Sequence, residues 1–304
     1  MPENEYHYTL LKPPPHRRRS CLGCLGRLLL APIVVACVAL IVFVLALVVF
    51  PPFGAEKTAR ILLVGLDAKP PEGGPQRSDT IMVYAGKLNG SGAVLLSVPR
   101  DARVRLAGET HFSKINAAFA AGKAALLKST LAQPDVLAAD LPYHVIFDSA
   151  TVAAMIDALG GIEVTVPREM DYDDNWGKLH IHLRPGRQHL TGTQAVGYLR
   201  WRKNNHGKGA SDDFSRTERQ RSLMVAVKDR VRSWQGLIRV PALYQAFRTH
   251  ADTNLSFQQF VMLGWASRTL QTDAVPGSPR TLHGISYVLC DWEYARQRWQ
   301  AATQ

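Results

Sequence analysis

The sequence is poor in cysteine and short of acidic residues, and each shortage narrows what the protein can be. It has four cysteines in 304 residues, and only Cys290 lies beyond residue 37. A domain with one cysteine holds no internal disulfide, so its hydrophobic core must stabilise it. Lysine and arginine number 36 against 25 acidic residues, a formal net charge of +11. This excess indicates a negatively charged partner, such as nucleic acid or a membrane surface.

Charge is absent from residues 28–50, which form a long apolar run. About 20 apolar residues in a helix cross a hydrocarbon layer of about 30 Å. Pro51 and Pro52 end the run without the small residues of a cleavage site, so we predict an uncleaved transmembrane anchor. The basic segment "HRRRS" (16–20) and Arg27 precede it. This order predicts a cytoplasmic N-terminus and an extracytoplasmic remainder.

The predicted topology is that of a single-pass protein of the cell membrane, and it removes nucleic acid as a partner. A basic domain outside the cytoplasm meets phosphates on lipids or wall polymers instead. Cys21 and Cys24 form a CxxC beside the anchor, but a zinc site would need two further ligands nearby. We interpret these cysteines as small apolar residues.

The chain divides into a cytoplasmic basic tail (1–27), the anchor (28–50), a linker (51–59) and one extracytoplasmic domain (60–304). In that domain strand and helix patterns alternate, which predicts an α/β fold, an αβα sandwich with a central mixed sheet. The predicted strands are "RILLVGLD" (60–67), "TIMVYAGKL" (80–88), "AVLLSVP" (93–99), "YHVIFD" (143–148) and "IEVTV" (162–166). The predicted helices are 114–131, 149–159 begun by Ser149, 191–202 begun by Thr191, and 213–234.

Three finer expectations concern the second half of the domain. "LHIHLRPGRQHL" (179–190) predicts a hairpin that turns at Pro185 and Gly186, and the acidic "MDYDDNW" (170–176) predicts a loop. "MDYDDNW" lacks the glycine and the final Glu of a calcium loop. In helix 213–234 an apolar face is predicted to enter the core, formed by Leu223, Val227, Val231 and Trp234.

Four charged clusters stand at the ends of predicted elements. They are Arg77-Ser78-Asp79-Thr80, Arg100-Asp101, the pair Arg200 and Arg202, and "DDFSRTERQ" (212–220). Any one pair is explained by a surface ion pair, but four at element ends indicate an anion site. Arginine suits phosphate because its planar guanidinium bonds two oxygens at once. Two carboxylates beside it suit Mg²⁺, which prefers hard oxygen ligands.

The last cluster also has helical spacing. Asp213, Arg216 and Gln220 lie at i, i+3 and i+7, so they share one face at the start of the helix, with Arg219 beside them. A carboxylate at a helix start is explained as a cap, whereas two arginines there oppose the helix dipole. The arginines therefore favour a binding role.

These motifs resemble the LytR–CpsA–Psr family of bacterial cell-envelope proteins over roughly residues 60–295. The segments that carry the resemblance, in order, are "ILLVGLD", "RSDT", "LLSVPRD", "KINAAFAAG", "DALGGIEVTVP", "LTGTQAVGYLRWRK", "DFSRTERQ" and "GISYVLCD". The chain departs from the family pattern at Lys69, Ala102 and Ser215, which touches pocket detail and leaves the main charged set intact.

The resemblance implies an enzyme that moves a glycopolymer from a polyprenyl-pyrophosphate carrier to peptidoglycan. The new bond would be a phosphodiester, and polyprenyl phosphate would leave. The metal would be Mg²⁺ on Asp79 and Asp101. The catalytic residues would be Asp213, as general base, with Arg216 and Arg100. The pyrophosphate would contact six residues, Arg77, Arg100, Arg200, Arg202, Arg219 and Gln220.

The same residues leave two other functions open. One is a protein that binds a lipid-linked precursor, or signals envelope state, without turnover. The other is a pyrophosphatase that uses water as the acceptor. A base such as Asp213 favours an enzyme, since lipid binding needs none. A polyprenyl chain would need an apolar tunnel, which helices 114–131 and 149–159 could line, although their apolar residues are also those of any core.

Histidines offer a further metal hypothesis. His180 and His182 alternate along one predicted strand, with His189 nearby. Two histidines on one strand face can bind zinc, but spacing places no third ligand beside them. We therefore favour surface histidines.

Overall fold

The chain mixes strands and helices, with several strands or several helices in succession. The computed structural model describes residues 52–54, 56–66, 76–175, 179–205 and 213–304. The strands are β1 (Thr58–Leu66), β2 (Ser78–Lys87), β3 (Ala93–Val98), β4 (Arg103–Arg105), β5 (Phe112–Lys114), β6 (Tyr143–Phe147), β7 (Ile162–Val166), β8 (Met170–Asp174), β9 (Leu179–Leu183), β10 (Gly186–Leu190), β11 (Asp252–Thr253), β12 (Leu270–Ala274), β13 (Gly277–Leu282) and β14 (Ile285–Cys290). The helices are α1 (Asn116–Leu131), α2 (Ser149–Ala158), α3 (Gly192–Arg200), α4 (Asp213–Arg232), α5 (Trp234–Leu237), α6 (Val240–His250), α7 (Phe257–Ala266) and α8 (Trp292–Thr303).

Among the described residues no helix has the length and apolar character needed to cross a bilayer. The predicted anchor, 28–50, lies outside them. The described part belongs to one unit that runs from Pro52 to Gln304.

The central sheet is mixed, as the sequence predicts. Its strand order is β11-β6-β1-β2-β3-β12. β1 runs parallel to β6 and antiparallel to β2, while β3 runs antiparallel to β2 and parallel to β12. Apolar residues of β1 alternate between the two faces, so each face buries its own core.

Helices cover both faces of this sheet. Leu62 packs on the side of α1 and α8, in one core with Phe119 and Trp299. Its neighbour Ile61 packs on the opposite side with Phe247, in a core that α7 also contacts through Phe260. This arrangement confirms a mixed sheet between layers of helices.

A second, smaller core lies between α2, α3, α4 and one long hairpin. β8 pairs with β9, and β7 pairs with β10, so residues 162–174 form one arm and 179–190 the other. The hairpin predicted to turn at Pro185 is therefore wrong, and the loop predicted at 170–176 is largely strand. Pro167 and Pro185 lie between the two ladders, one on each arm, and proline has no N–H to donate to a ladder. The prolines interrupt the strand pairing in both arms, and in the sequence this interruption has the pattern of a turn.

Two helix predictions also need correction. α4 ends at Arg232, and Trp234 begins the separate short helix α5 with 77% of its surface exposed. Ser233 separates the two because its side chain accepts a hydrogen bond from the amide of Gly236. Only Leu223 of the predicted face is fully in the core. Helix α2 is capped by Asp148 and not by Ser149, in a capping box with Thr151.

Helix α3 begins as predicted, with Thr191 as its cap and Gln194 completing a capping box. Its first residue, Gly192, approaches α2 very closely. The amide of Gly192 donates a hydrogen bond to the Asp157 carboxylate at 2.7 Å. A Cβ at this position would collide with the carbonyl oxygen of Ala153. The start of α3 is thus held against α2 by backbone contact.

Candidate active site

Several strands of the central sheet end at one place. In the ladders Leu66 pairs with Ser78, Val98 lies opposite Ile81, and Phe147 lies beside Gly65. Asp79 near the start of β2 and Asp101 just after β3 therefore lie at the same end of the sheet, as neighbouring antiparallel strands require. Backbone topology alone brings these two carboxylates to one region.

Both carboxylates are paired with cations. Nη1 of Arg100 donates to Oδ1 of Asp79 at 2.6 Å. Lys114, which sequence reasoning missed, contacts Oδ1 of Asp101 through its ammonium at 2.9 Å. Each pair uses one carboxylate oxygen, and all four side chains are between a third and a half exposed. Surface pairs of this kind contribute little to stability, so they are available for exchange with a ligand.

A pocket of about 700 Å³ opens at this end of the sheet. Asp79 from β2 lines its charged side with Arg200, the last residue of α3, and with Arg202 and Lys203 beyond that helix. The structure thus brings three of the predicted site residues to one cavity. A fourth, Arg100, contacts the cavity residue Asp79 through an ion pair. A smaller cavity of about 210 Å³, bordered by Lys87 and Gln271, contains none of them.

The rest of the pocket wall is mixed: Thr80, Asp148, Ser149 and Asp174 are polar, and seven further residues are apolar. α2 contributes Val152, as the tunnel prediction expects, whereas the large apolar residues of α1 pack in the main core. The β8–β9 strands contribute side chains from one of their faces. The apolar lining consists of Leu66, Phe147, Val152, Tyr172, Leu179, Val196 and Leu199. One cavity therefore joins charged groups of both signs to a stretch of apolar wall.

Arg219 holds the segment that carries Arg200 and Arg202. It is 3% exposed, and its guanidinium donates to the carbonyl oxygens of Tyr198 at 3.1 Å and Trp201 at 2.8 Å. These carbonyls lie at the end of α3, where a cation is favourable. Trp201 is itself buried. The exposed Arg200 and Arg202 flank it in sequence, and so they start from a fixed backbone.

The remaining predicted residues are placed less fully. Arg77 is exposed and directly precedes β2. The backbone of α4 is described from Asp213 onward, but the side chains of Asp213, Arg216 and Gln220 lie outside the described residues. Ala102, where the chain departs from the family pattern, is fully buried in the core. Its substitution therefore does not alter the pocket wall.

Mg²⁺ fits the donor chemistry at the sheet end. Asp79 and Asp101 supply hard carboxylate oxygens from adjacent strands, and Mg²⁺ is commonly held by one or two carboxylates plus substrate phosphate and water. Arg100 and Lys114, now paired with these groups, would turn to the phosphate oxygens of a ligand.

An α/β protein with arginines and carboxylates around a half-apolar pocket is suited to binding a phosphorylated amphiphile. Residues 50–304 match the model of the LytR_cpsA_psr family. The chain therefore belongs to the LytR–CpsA–Psr family.

Two curated relatives and one solved structure illustrate the similarity. The polyisoprenyl-teichoic acid–peptidoglycan teichoic acid transferase TagV of Bacillus subtilis (strain 168) is 29% identical over 231 residues, 73% of this chain and 58% of the relative. TagU of Bacillus cereus (strain AH820), with the same activity in its name, is 30% identical over 199 residues, 66% of this chain and 61% of the relative. The alignments thus span about three fifths of each relative. The crystal structure of B. subtilis TagV superposes with a TM-score of 0.64 at 26% identity, covering 82% of this chain and 98% of that chain.

Proposed function

We propose that this protein transfers a glycopolymer from a polyprenyl-pyrophosphate carrier to peptidoglycan. The supporting observation is one pocket that brings Asp79, Arg200 and Arg202 together with apolar side chains. A polyprenyl-pyrophosphate glycan likewise has a charged part, the pyrophosphate, next to a long hydrocarbon chain. Two relatives are named as transferases of teichoic acid from a polyisoprenyl-teichoic acid to peptidoglycan. We place the domain on the outer side of the cell membrane, behind the predicted anchor at 28–50.

In the proposed reaction a hydroxyl of peptidoglycan attacks the phosphorus that carries the glycan. The new O–P bond forms a phosphodiester, and the bond from that phosphorus to the bridging oxygen breaks. Polyprenyl phosphate leaves with the bridging oxygen. Asp213 accepts the proton of the attacking hydroxyl as general base. Arg216 acts at the reacting phosphorus.

The arginines at the pocket neutralise the phosphate charge. Arg200 and Arg202 reach the pyrophosphate from the end of α3, and Arg77, Arg100 and Gln220 complete the contacts. Arg219, which is also predicted to contact the pyrophosphate, acts on the same site by holding the backbone of Trp201. Mg²⁺, when bound by Asp79 and Asp101, supplies further neutralisation of the phosphate oxygens. Phosphoryl transfer depends chiefly on such positioning and charge stabilisation.

The test uses the full chain in detergent with a polyprenyl-pyrophosphate saccharide, peptidoglycan fragments and Mg²⁺. Phosphodiester product and released polyprenyl phosphate are measured separately. We expect both to form together and to be lost in Asp213→Asn and Arg216→Ala, while Glu163→Gln on β7 keeps full activity. Release of polyprenyl phosphate without an acceptor would favour the pyrophosphatase. Tight donor binding with neither product would favour the binding protein and overturn the proposal.

A further inference from the structure

The outer face of the β8–β9 ladder carries a cluster of histidines and aspartates. In this ladder Asp171 lies directly opposite His182, and Asp173 lies directly opposite His180. Because side chains alternate across a strand, these four share one face, while Tyr172 on the other face lines the pocket. The cross-strand pairs supply the ligands that linear spacing along β9 does not.

The cluster is close-set. Nδ1 of His182 donates to Oδ1 of Asp171 at 2.7 Å, and its Nε2 lies 3.3 Å from Oδ1 of Asp173. Nδ1 of His180 donates to the same Asp173 oxygen at 2.5 Å. Asp171, Asp173 and His182 each offer a ligand atom within 4.8 Å of the others. Hydrogen bonding to Asp171 raises the pKa of His182, and hydrogen bonding to His180 lowers the pKa of Asp173.

We propose that Asp171, Asp173 and His182 bind a divalent transition metal of the zinc type, on the face of the hairpin that points away from the pocket. One imidazole nitrogen and two carboxylate oxygens supply three ligands, and water supplies the fourth. Tetrahedral zinc with bonds of about 2.0–2.2 Å sets its ligands about 3.4 Å apart. The donor atoms lie within 4.8 Å of one another, so side-chain rotation would bring them to this spacing.

The choice of metal follows from the ligand types. Mg²⁺ and Ca²⁺ favour oxygen ligands alone, whereas an imidazole nitrogen favours zinc and its neighbours. His180 contributes by orienting Asp173, because it holds the oxygen that faces His182. The site is thus distinct in chemistry from the all-oxygen pair Asp79 and Asp101.

Metal binding here would tie together the two strands that form a wall of the pocket. Tyr172 and Leu179 face the pocket from β8 and β9, next to the proposed ligands. A metal bridging the strands therefore stabilises the wall on which the donor is expected to lie. The inference concerns binding and stability, so it stands or falls independently of the transfer reaction.

The experiment titrates Zn²⁺ into the metal-free full chain, without a histidine tag, by calorimetry, with a parallel thermal melt. We expect one equivalent to bind and to raise the melting temperature. His182→Gln and Asp171→Asn should each weaken binding at least tenfold, and His180→Gln should weaken it about tenfold. The matched control is His189→Gln on β10. His189 contacts a single carboxylate, Glu163, which is also paired with Arg187, so it lacks the second carboxylate of the proposed site.

The titrations of the variants distinguish a specific metal site from nonspecific binding. Loss of binding in the three variants, with His189→Gln unchanged, supports the site. Equal affinity in the wild type and in His182→Gln would overturn it, as would equal loss in His189→Gln. A circular dichroism spectrum for each variant shows that the fold is retained, so a loss of binding is not a loss of structure. Mg²⁺ that competes with Zn²⁺ at equal concentration would also contradict the proposal.

Discussion

The guanidinium of Arg219 lies 5.3 Å from the ring of Trp201 and donates a hydrogen bond to that residue's carbonyl oxygen at 2.8 Å. The same group reaches the carbonyl of Tyr198. A buried charge is costly unless it is fully hydrogen-bonded, and here the end of a helix provides the acceptors. The relationship makes Arg219 a positioning residue for the arginines on either side of Trp201.

Replacing Arg219 should therefore affect stability as well as activity. Arg219→Ala removes two charge-assisted hydrogen bonds, and we expect the free energy of unfolding to fall by about 3 kcal/mol. Arg219→Lys should recover only part of this, since one ammonium cannot match the geometry of the guanidinium. Urea denaturation measures both variants. Arg187→Ala, at an exposed ion pair, is the control. A change below about 0.5 kcal/mol in Arg219→Ala would contradict this account.

Replacing Asp79 should affect transfer much more than stability. Asp79→Asn breaks an exposed pair with Arg100, so the free energy of unfolding should change by less than about 0.5 kcal/mol. The rate of transfer should nevertheless fall at least about a hundredfold, because Asp79 is proposed to hold the Mg²⁺ that neutralises the phosphate oxygens. Transfer rates and urea melts on the same preparation test the two halves together. Glu163→Gln, also an exposed paired carboxylate, should leave both quantities unchanged.

The apolar wall predicts a steric effect on donor binding. Val196 lines the pocket from α3 and is partly exposed, so Val196→Trp fills space that the lipid chain is expected to occupy. Donor affinity, measured by fluorescence with a labelled polyprenyl phosphate, should fall at least about tenfold, since one lost apolar contact is worth about 1–3 kcal/mol. Thr193→Trp lies one turn earlier on the exposed surface of α3 and is the matched control. Equal affinity in both variants would place the lipid elsewhere.

His144 predicts a pH dependence of stability. Burial lowers its pKa, and the nearby ammonium of Lys128 lowers it further. The folded protein therefore resists protonation that the unfolded chain accepts near pH 6.5, so this histidine reduces stability as the pH falls below that value. The loss in free energy of unfolding between pH 8 and pH 5.5 should be smaller in His144→Gln than in the wild type. An identical loss in both proteins would refute the assignment.

Helix α1 contains a break that predicts a stabilising substitution. Lys123 is exposed and has φ 55 and ψ −148, a region that only glycine adopts without strain. Lys123→Gly should raise the free energy of unfolding by about 1 kcal/mol. Lys123→Ala keeps the Cβ and should not. Thermal melts compare the two, and greater stability in Lys123→Ala would show that the charge of Lys123, and not its backbone, matters.

The sequence predicts best where local pattern and sheet topology agree. The strand endings predict that Asp79 and Asp101 lie at the same end of the sheet, because neighbouring antiparallel strands bring an end and a start to the same edge. The alternation of strand and helix likewise predicts the mixed sheet with helices on both faces.

The sequence predicts least where contacts between distant residues determine the structure. Pro185 is typical of a turn, and the sequence does not show that it lies between two ladders of one longer hairpin. The partners of His182 were missed because they lie on another strand, about ten residues away in sequence. Likewise, the sequence does not show that Arg219 donates hydrogen bonds to carbonyl oxygens at the end of α3.

Gly192 shows how a residue far from any chemistry can be as intolerant of change as a catalytic one. No side chain fits between the start of α3 and Ala153 of α2, and the same helix ends at Arg200 in the pocket. Any substitution at 192 would push α3 outward and move the arginine with it. A scan of all substitutions should therefore record position 192 as inactive, and that score would report the spacing of two helices.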